Sequence, residues 1–383
     1  MAPHPHLHGA RPAPGGMPQV ADYARSPLLV IWEVTRACGL ACRHCRAEAL
    51  TEPEPGELST QEGLRLVDQV ADLGAPILVF SGGDPLRRSD LETLIRHAKK
   101  RDLRAGTIPA ATPLLTHERI RALADAGLDQ LAFSLDASTP EMHDHFRGVE
   151  GAFARTLNAA GFARGIGLPL QINSCLTQSR LADFDRLAAL VSGLGVAFWE
   201  IFFVVPVGRA GLDEVLTAEE HERMFEKISA VAERSPFVVK VTEAQHYRRY
   251  LLERSQAARL APSAAKEPGR PIFANAARVV NAGDGFCFVS NLGEVYPSGF
   301  LPLSGGNARR EGLVSIYRES ALFRSLRDRS LLKGRCGACE YRQVCGGSRS
   351  FAYATTGDIH GEAASCGHVP QESQPQRPGR GAS

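Results

Sequence analysis

Short apolar runs alternate with amphipathic stretches from residue 28 to about residue 233. Apolar runs of about four to eight residues bounded by turn residues mark strands. They predict strands at Leu28–Val34, Ile77–Ser81, Leu103–Ile108, Gln130–Leu135, Leu168–Asn173 and Ala197–Val205. Helical spacing predicts helices near 59–73, 89–101, 116–126, 151–164, 181–194 and 217–233. Gly74, Gly127 and Gly195 stand where helix C-termini place glycine, and Ser59 with Glu62 forms a capping box. A second box, Ser138 with Glu141, opens a helix around 139–143 and leaves Asp136 free for another task. Strict strand–helix alternation is the pattern of a parallel α/β sheet. Six such units predict a partial (β/α)6 TIM-like barrel, with the active site on the loops at the strands' C-terminal ends.

The flanks break this rhythm. Residues 1–25 are rich in Pro, Gly, Ala and His and read as a disordered arm, so His4, His6 and His8 read as a solvated tail rather than a metal site. The core then spans 26–245 and a Pro-containing linker 246–280. A small cysteine-rich α+β extension covers 281–368, opening on a hairpin that turns at Asn291–Gly293. Residues 369–383 read as a disordered tail.

Composition narrows the function. With 383 residues, 44% hydrophobic and 22% charged, the chain is an ordinary globular protein. Its net charge of +2 gives no electrostatic case for nucleic acid. No apolar run reaches the ~20 residues of a membrane helix, and no secretory signal is apparent, so the expected location is cytoplasmic. Nine cysteines in that setting point to metal or redox use rather than disulfides.

Seven of the cysteines fall into two groups. Cys38, Cys42 and Cys45 lie on one loop, spaced C-x3-C-x2-C, directly after the first strand. Three thiolates on a cubane iron–sulfur cluster leave one iron open, as in catalytic rather than structural metal sites. Zinc and buried thiols are the competing readings, but zinc motifs usually pair two C-x2-C units or add histidines. His44 reads as packing. Cys336, Cys339, Cys345 and Cys366 can close a second cluster completely, with four-cysteine zinc as its alternative. Gly82, Gly83 and Asp84 follow the second strand, Ser134 and Asp136 end the fourth, Asn173 ends the fifth, and Arg209 follows the sixth.

The triplet and the Ser81-Gly-Gly-Asp-Pro segment resemble those of the radical S-adenosylmethionine (radical SAM) enzymes over about residues 26–245. The resemblance implies a [4Fe-4S] cluster on Cys38, Cys42 and Cys45 with S-adenosylmethionine on the open iron. It implies reductive cleavage to a 5′-deoxyadenosyl radical that abstracts hydrogen from a substrate. It assigns the cofactor to Gly82, Gly83, Asp84, Ser134, Asp136, Asn173 and Arg209. It also implies an electron donor such as ferredoxin or flavodoxin. The second cysteine group resembles the SPASM auxiliary-cluster region, but Ser298 and Ser348–Arg349 stand where the first auxiliary cluster's cysteines belong, and Cys287 remains alone. Two clusters are therefore expected, not three. Segments around 295–307, 315–327 and 345–358 resemble the haem-synthase and tetrapyrrole-modifying group. The substrate reads as a tetrapyrrole, its propionates met by Arg209, Arg309, Arg310 or Arg349, or as a peptide. An iron–sulfur sensor without turnover is the reading from another class.

Overall fold

The computed structural model describes residues 22–260 and 280–370. Six strands lie where alternation predicts them: β1 (Leu29–Glu33), β2 (Ile77–Ser81), β3 (Arg104–Thr107), β4 (Gln130–Ser134), β5 (Leu170–Leu176) and β6 (Phe198–Phe203). A seventh, β7 (Val238–Thr242), pairs parallel with β6. From the extension, β8 (Phe286–Val289) pairs parallel with β1, and β9 (Val295–Tyr296) pairs antiparallel with β8. One nine-stranded sheet results, in the order β7-β6-β5-β4-β3-β2-β1-β8-β9, curled into a half-barrel. The extension is thus continuous with the barrel sheet.

Alternate residues of each strand face opposite ways. Val30, Trp32, Leu78, Phe80, Leu131, Phe133, Ile172, Trp199 and Ile201 enter the main core. Their neighbours Glu33, Ser134, Asn173, Glu200 and Lys240 line the concave side. The convex side is covered by α1 (Thr60–Leu73), α2 (Leu91–Lys100), α3 (His117–Asp125), α4 (Pro140–Arg147), α5 (Ala152–Gly165), α6 (Phe184–Gly193) and α7 (Ala218–Arg234). The Ser59–Glu62 capping box forms as expected, and Thr217 with Glu220 makes another on α7.

The box expected at Ser138–Glu141 does not form. Pro140 sits at the first helical position, so Thr139 is the cap and accepts from the Met142 amide, while Ser138 bonds Asp183 through both amide and hydroxyl. The linker expected from 246 is also corrected. Residues Tyr247–Leu260 form α8, because Tyr247 and Tyr250, three apart, pack their rings on Phe225 of α7. Residues 261–279 of that linker lie outside the described residues, as do 1–21 with the three histidines, and 371–383. Residues 22–25 of the expected arm are ordered. Tyr317 donates to the Tyr23 carbonyl at 2.7 Å, and Arg318 to the Arg25 carbonyl at 2.9 Å. Among the described residues the remaining helices are α9 (Leu313–Glu319), α10 (Ala321–Arg327), α11 (Gly334–Ala338) and α12 (Arg349–Thr356). Among the described residues no helix is long and apolar enough to cross a membrane.

Candidate active site

The cysteine loop after β1 is held by backbone approach from neighbouring strand ends. The Gly83 amide donates to Thr35 O at 2.8 Å, and the Asp84 amide to Ala37 O at 2.7 Å. A Cβ on Gly83 would lie 2.5 Å from Ala37 O and 2.6 Å from Arg36 O, so only glycine admits this contact. From the loop after β6, the Arg209 amide donates to Cys45 O at 3.1 Å, and a Cβ on Gly208 would lie 2.4 Å from the same oxygen. The loop also runs along the end of α4, through Ala41 N to Arg147 O and Arg43 N to Phe146 O. Cys38, Leu40 and Cys42 pack together with Cys45 in one apolar cluster. Cys38 Sγ accepts from the Leu40 amide at 3.3 Å, and burial pushes its thiol up to about 11. A thiolate there needs a cationic partner such as a metal cluster, which fits the donor set.

The candidate cofactor residues separate by environment. Gly82, Gly83 and Ser134 lie at strand ends beside the loop, and Arg209 is exposed with its amide on Cys45. Ser134 shares a small hollow with Leu40, His143 and Arg147. Asp84 turns inward. It is 0 % exposed and accepts from Leu86 N, Ala110 N and Thr112 Oγ1, so it fastens loops together. Asp136 is buried with its carboxylate engaged by Arg147 (2.5 Å) and the Cys175 amide (2.9 Å), rather than left free by a helix cap. Burial opposes its charge, but Arg147 outweighs this and holds the carboxyl well below the usual range. Asn173 Oδ1 accepts from Gln171.

His143 and Arg147 of α4 also belong to the site. They are four residues apart on α4 and both line the hollow, a spacing that puts side chains on one face. Arg147 also donates to Cys42 Sγ at 3.7 Å. His143 Nδ1 accepts from the Asp136 amide at 3.2 Å, which leaves the ring proton on Nε2, buried and without a partner. His44 stacks on Phe146 at 4.0 Å, with Arg180 over the same ring.

On the concave side, Phe198, Phe202 and Phe288 face away from the main core. Lys240 Nζ lies 4.5 Å from the Phe198 centroid and the Arg46 guanidinium 4.3 Å from that of Phe288. Arg46 pairs with Glu33 at 3.1 Å. Neither cation was singled out in the sequence, although Lys240 stands out between valines of the core-facing set. Of the expected propionate partners, Arg349 is 0 % exposed and Arg309 pairs with Glu62. Arg349 is closed to a substrate, whereas Arg309 stays exposed at the surface.

The second group comes together as expected. Cys336, Cys339, Cys345 and Cys366 all line one half-open hollow, with His246 and His368 at its wall. Backbone amides point at three sulfurs: Tyr341 N to Cys339 (3.4 Å), Gly347 N to Cys345 (3.3 Å) and Ala363 N to Cys336 (3.4 Å). Burial pushes the Cys345 thiol up to about 12 and the Cys339 thiol to about 11. Cys339, Glu340 and His368 also bring ligand atoms within 4.8 Å of one another. Cys287 lies apart, 0 % exposed in the main core. Ser298 and Ser348, where the sequence resemblance expects cysteines, do meet in space. With Ser350 they donate to one buried carboxylate, Glu243, at 3.2, 2.5 and 3.2 Å. Glu243 holds a positive φ of 60° at the end of β7.

Comparison with known proteins agrees with this geometry. Residues 32–178 match the Radical SAM superfamily. A protein of Nitratidesulfovibrio vulgaris named AdoMet-dependent heme synthase is 38% identical, over 98% of this chain and 100% of its own. A PqqA peptide cyclase of Rhizobium meliloti is 29% identical over 87% of this chain and 84% of its own. In structure, Streptococcus suis SuiB bound to S-adenosylmethionine superposes with a TM-score of 0.71 at 15% identity, covering 90% of this chain and 78% of that one. The half-barrel, the gripped cysteine loop, the family match and 38% identity along the whole length of a relative place this chain among the radical SAM enzymes.

Proposed function

We propose that the enzyme modifies an iron porphyrin, removing carboxyl groups from its propionate side chains. The observation that carries this is the concave face. Phe198 and Phe202, both partly exposed, offer flat apolar surface to a macrocycle, and Lys240 holds a cation beside Phe198 for a carboxylate. The name of the 38% identical relative supports the same reading.

When bound, a [4Fe-4S] cluster and S-adenosylmethionine supply the 5′-deoxyadenosyl radical for hydrogen abstraction. Cys38, Cys42 and Cys45 hold that cluster. The Gly82–Gly83 backbone and Ser134 border the cofactor's place, Arg209 lies at its rim, and Asn173 lines the concave side. Asp136 acts through Arg147, which it fixes beside Cys42, and Asp84 acts by bracing the loop. The quartet holds an auxiliary [4Fe-4S] cluster. A zinc site is the second reading there, favoured by the Cys339–Glu340–His368 grouping.

The test is anaerobic reconstitution followed by incubation with dithionite, S-adenosylmethionine and an iron coproporphyrin. Chromatography and mass spectrometry should show 5′-deoxyadenosine together with porphyrin that has lost carboxyl groups. Deoxyadenosine without porphyrin conversion, and conversion of a peptide instead, would overturn the substrate assignment. Metal analysis decides the second site: about eight irons per chain for two cubanes, about four irons and one zinc for the alternative.

A further inference from the structure

A buried cation is costly unless an anion compensates it. Around the quartet's cavity, Arg249 has Glu222 and Glu253, Arg335 has Glu362, and Arg342 is exposed. Arg349 differs from all three. It is 0 % exposed, and it donates to the carbonyls of Gly347 (3.4 Å), Ile359 (2.9 Å) and Gly361 (2.8 Å). Its remaining partner is Cys336 Sγ at 3.8 Å. Asp358, whose field reaches it, is itself held by Lys333 at 2.6 Å. Among the described residues no carboxylate forms an ion pair with Arg349. The carbonyls fix the guanidinium's orientation but leave its charge uncancelled, and the cysteine quartet faces that charge.

The triplet offers the opposite arrangement. Arg147 reaches Cys42 Sγ at 3.7 Å, but Asp136 sits on it at 2.5 Å and neutralises it.

We propose that Arg349 is a positioning residue that raises the reduction potential of the cluster on Cys336, Cys339, Cys345 and Cys366. This rests on reading the quartet as an iron–sulfur site. A one-electron reduction adds negative charge to the cluster and its four thiolates. A fixed cation in a buried setting favours that more negative state, and hydrogen bonds to the sulfurs act in the same direction. The three amides supply such bonds, and Arg349 supplies the charge.

The experiment uses the full chain with Cys38, Cys42 and Cys45 all changed to Ala, so that only the quartet binds iron, and follows reduction by EPR at set potentials. Arg349→Gln keeps an amide donor for the carbonyls but removes the charge. It should lower the reduced-to-oxidised ratio at the parent midpoint by tenfold or more, which for a one-electron couple is about 59 mV. Arg349→Lys, which keeps the charge, should stay within about threefold of the parent. A purely structural role would disturb both variants alike. A second measurement needs no substitution at 349: 15N-labelled arginine in the parent should give a nitrogen coupling to the reduced cluster. An unshifted midpoint in a fully loaded Arg349→Gln protein, or no such coupling, overturns the inference alone. Uptake of zinc and no iron by the parent overturns the cluster reading and the inference with it.

Discussion

The two cysteine sites are built in opposite ways. The triplet spans eight residues of one loop, and distant strand ends grip that loop through the close approaches of Gly83 and Gly208. The quartet is drawn from residues 336–366, yet its support is local: three amides from its own turns point at its sulfurs. In the triplet one sulfur, Cys38, accepts such an amide. The site proposed to leave one corner open gains its rigidity from outside. A closed site can be wrapped by its own loops. The difference predicts that distant changes should damage the first site and spare the second.

Removing a ligand should separate them most sharply. Cys42→Ala should reduce 5′-deoxyadenosine formation to background and lower iron from about eight to about four per chain, with the quartet's EPR signal retained. Loss of both signals would show that the sites depend on each other. Asp136→Ala comes next, because it strands the buried Arg147 beside Cys42. About 3–5 kcal/mol of stability should be lost in denaturant titration, and iron at the triplet should fall first. A third effect follows from pH. Burial holds His221 neutral, with its pKa lowered to about 4 from 6.5, in a setting made by Phe203, Phe225, His246, Glu220 and the Thr217 carbonyl. The unfolded chain takes up this proton near 6.5 and the folded chain only near 4. Stability from this group is therefore full above pH 6.5 and falls by up to about 3 kcal/mol as pH drops towards 4. Burial lowers His44, His143 and His246 as well, so His221→Phe should make that part of a melting-temperature profile less steep without changing iron content.

Gly83→Ala places a methyl against Ala37 O, at a cost of about 1–3 kcal/mol, and should loosen iron at the triplet while the quartet stays loaded. Equal loss at both sites would contradict the outside-grip account. The smallest effect is a control. Ser59→Ala removes a cap remote from both sites, costs about 1 kcal/mol, and should leave both iron sites filled.

What the sequence showed and what it hid follow the same division. β1 to β6 were legible because their apolar residues alternate or run between glycine-marked helices. β7 escaped although Val239 and Val241 also alternate, being a short strand beyond the predicted barrel. α8 escaped because its anchors are two tyrosines in an otherwise charged stretch. The triplet and quartet were readable from spacing alone. The Asp136–Arg147 pair was not, since a misplaced cap hid Asp136's partner and the four-residue spacing of His143 and Arg147 was passed over. Glu243 could not be found at all. Its partners Ser298, Ser348 and Ser350 lie more than fifty residues away, and nothing local marks a carboxylate that three hydroxyls will enclose.

The pairing of β8 with β1 joins Leu29 to Phe286. During synthesis on the ribosome, the strand leading into the cysteine triplet therefore emerges long before the partner that covers its edge. Until some 250 further residues have been made, β1 presents an open row of amides and carbonyls, the kind of edge that recruits other chains. The nascent protein should need a holding factor, or rapid pairing of β1 with β2, before it can receive iron. A chain stopped short of residue 286 should collect as insoluble material rather than as a smaller working enzyme.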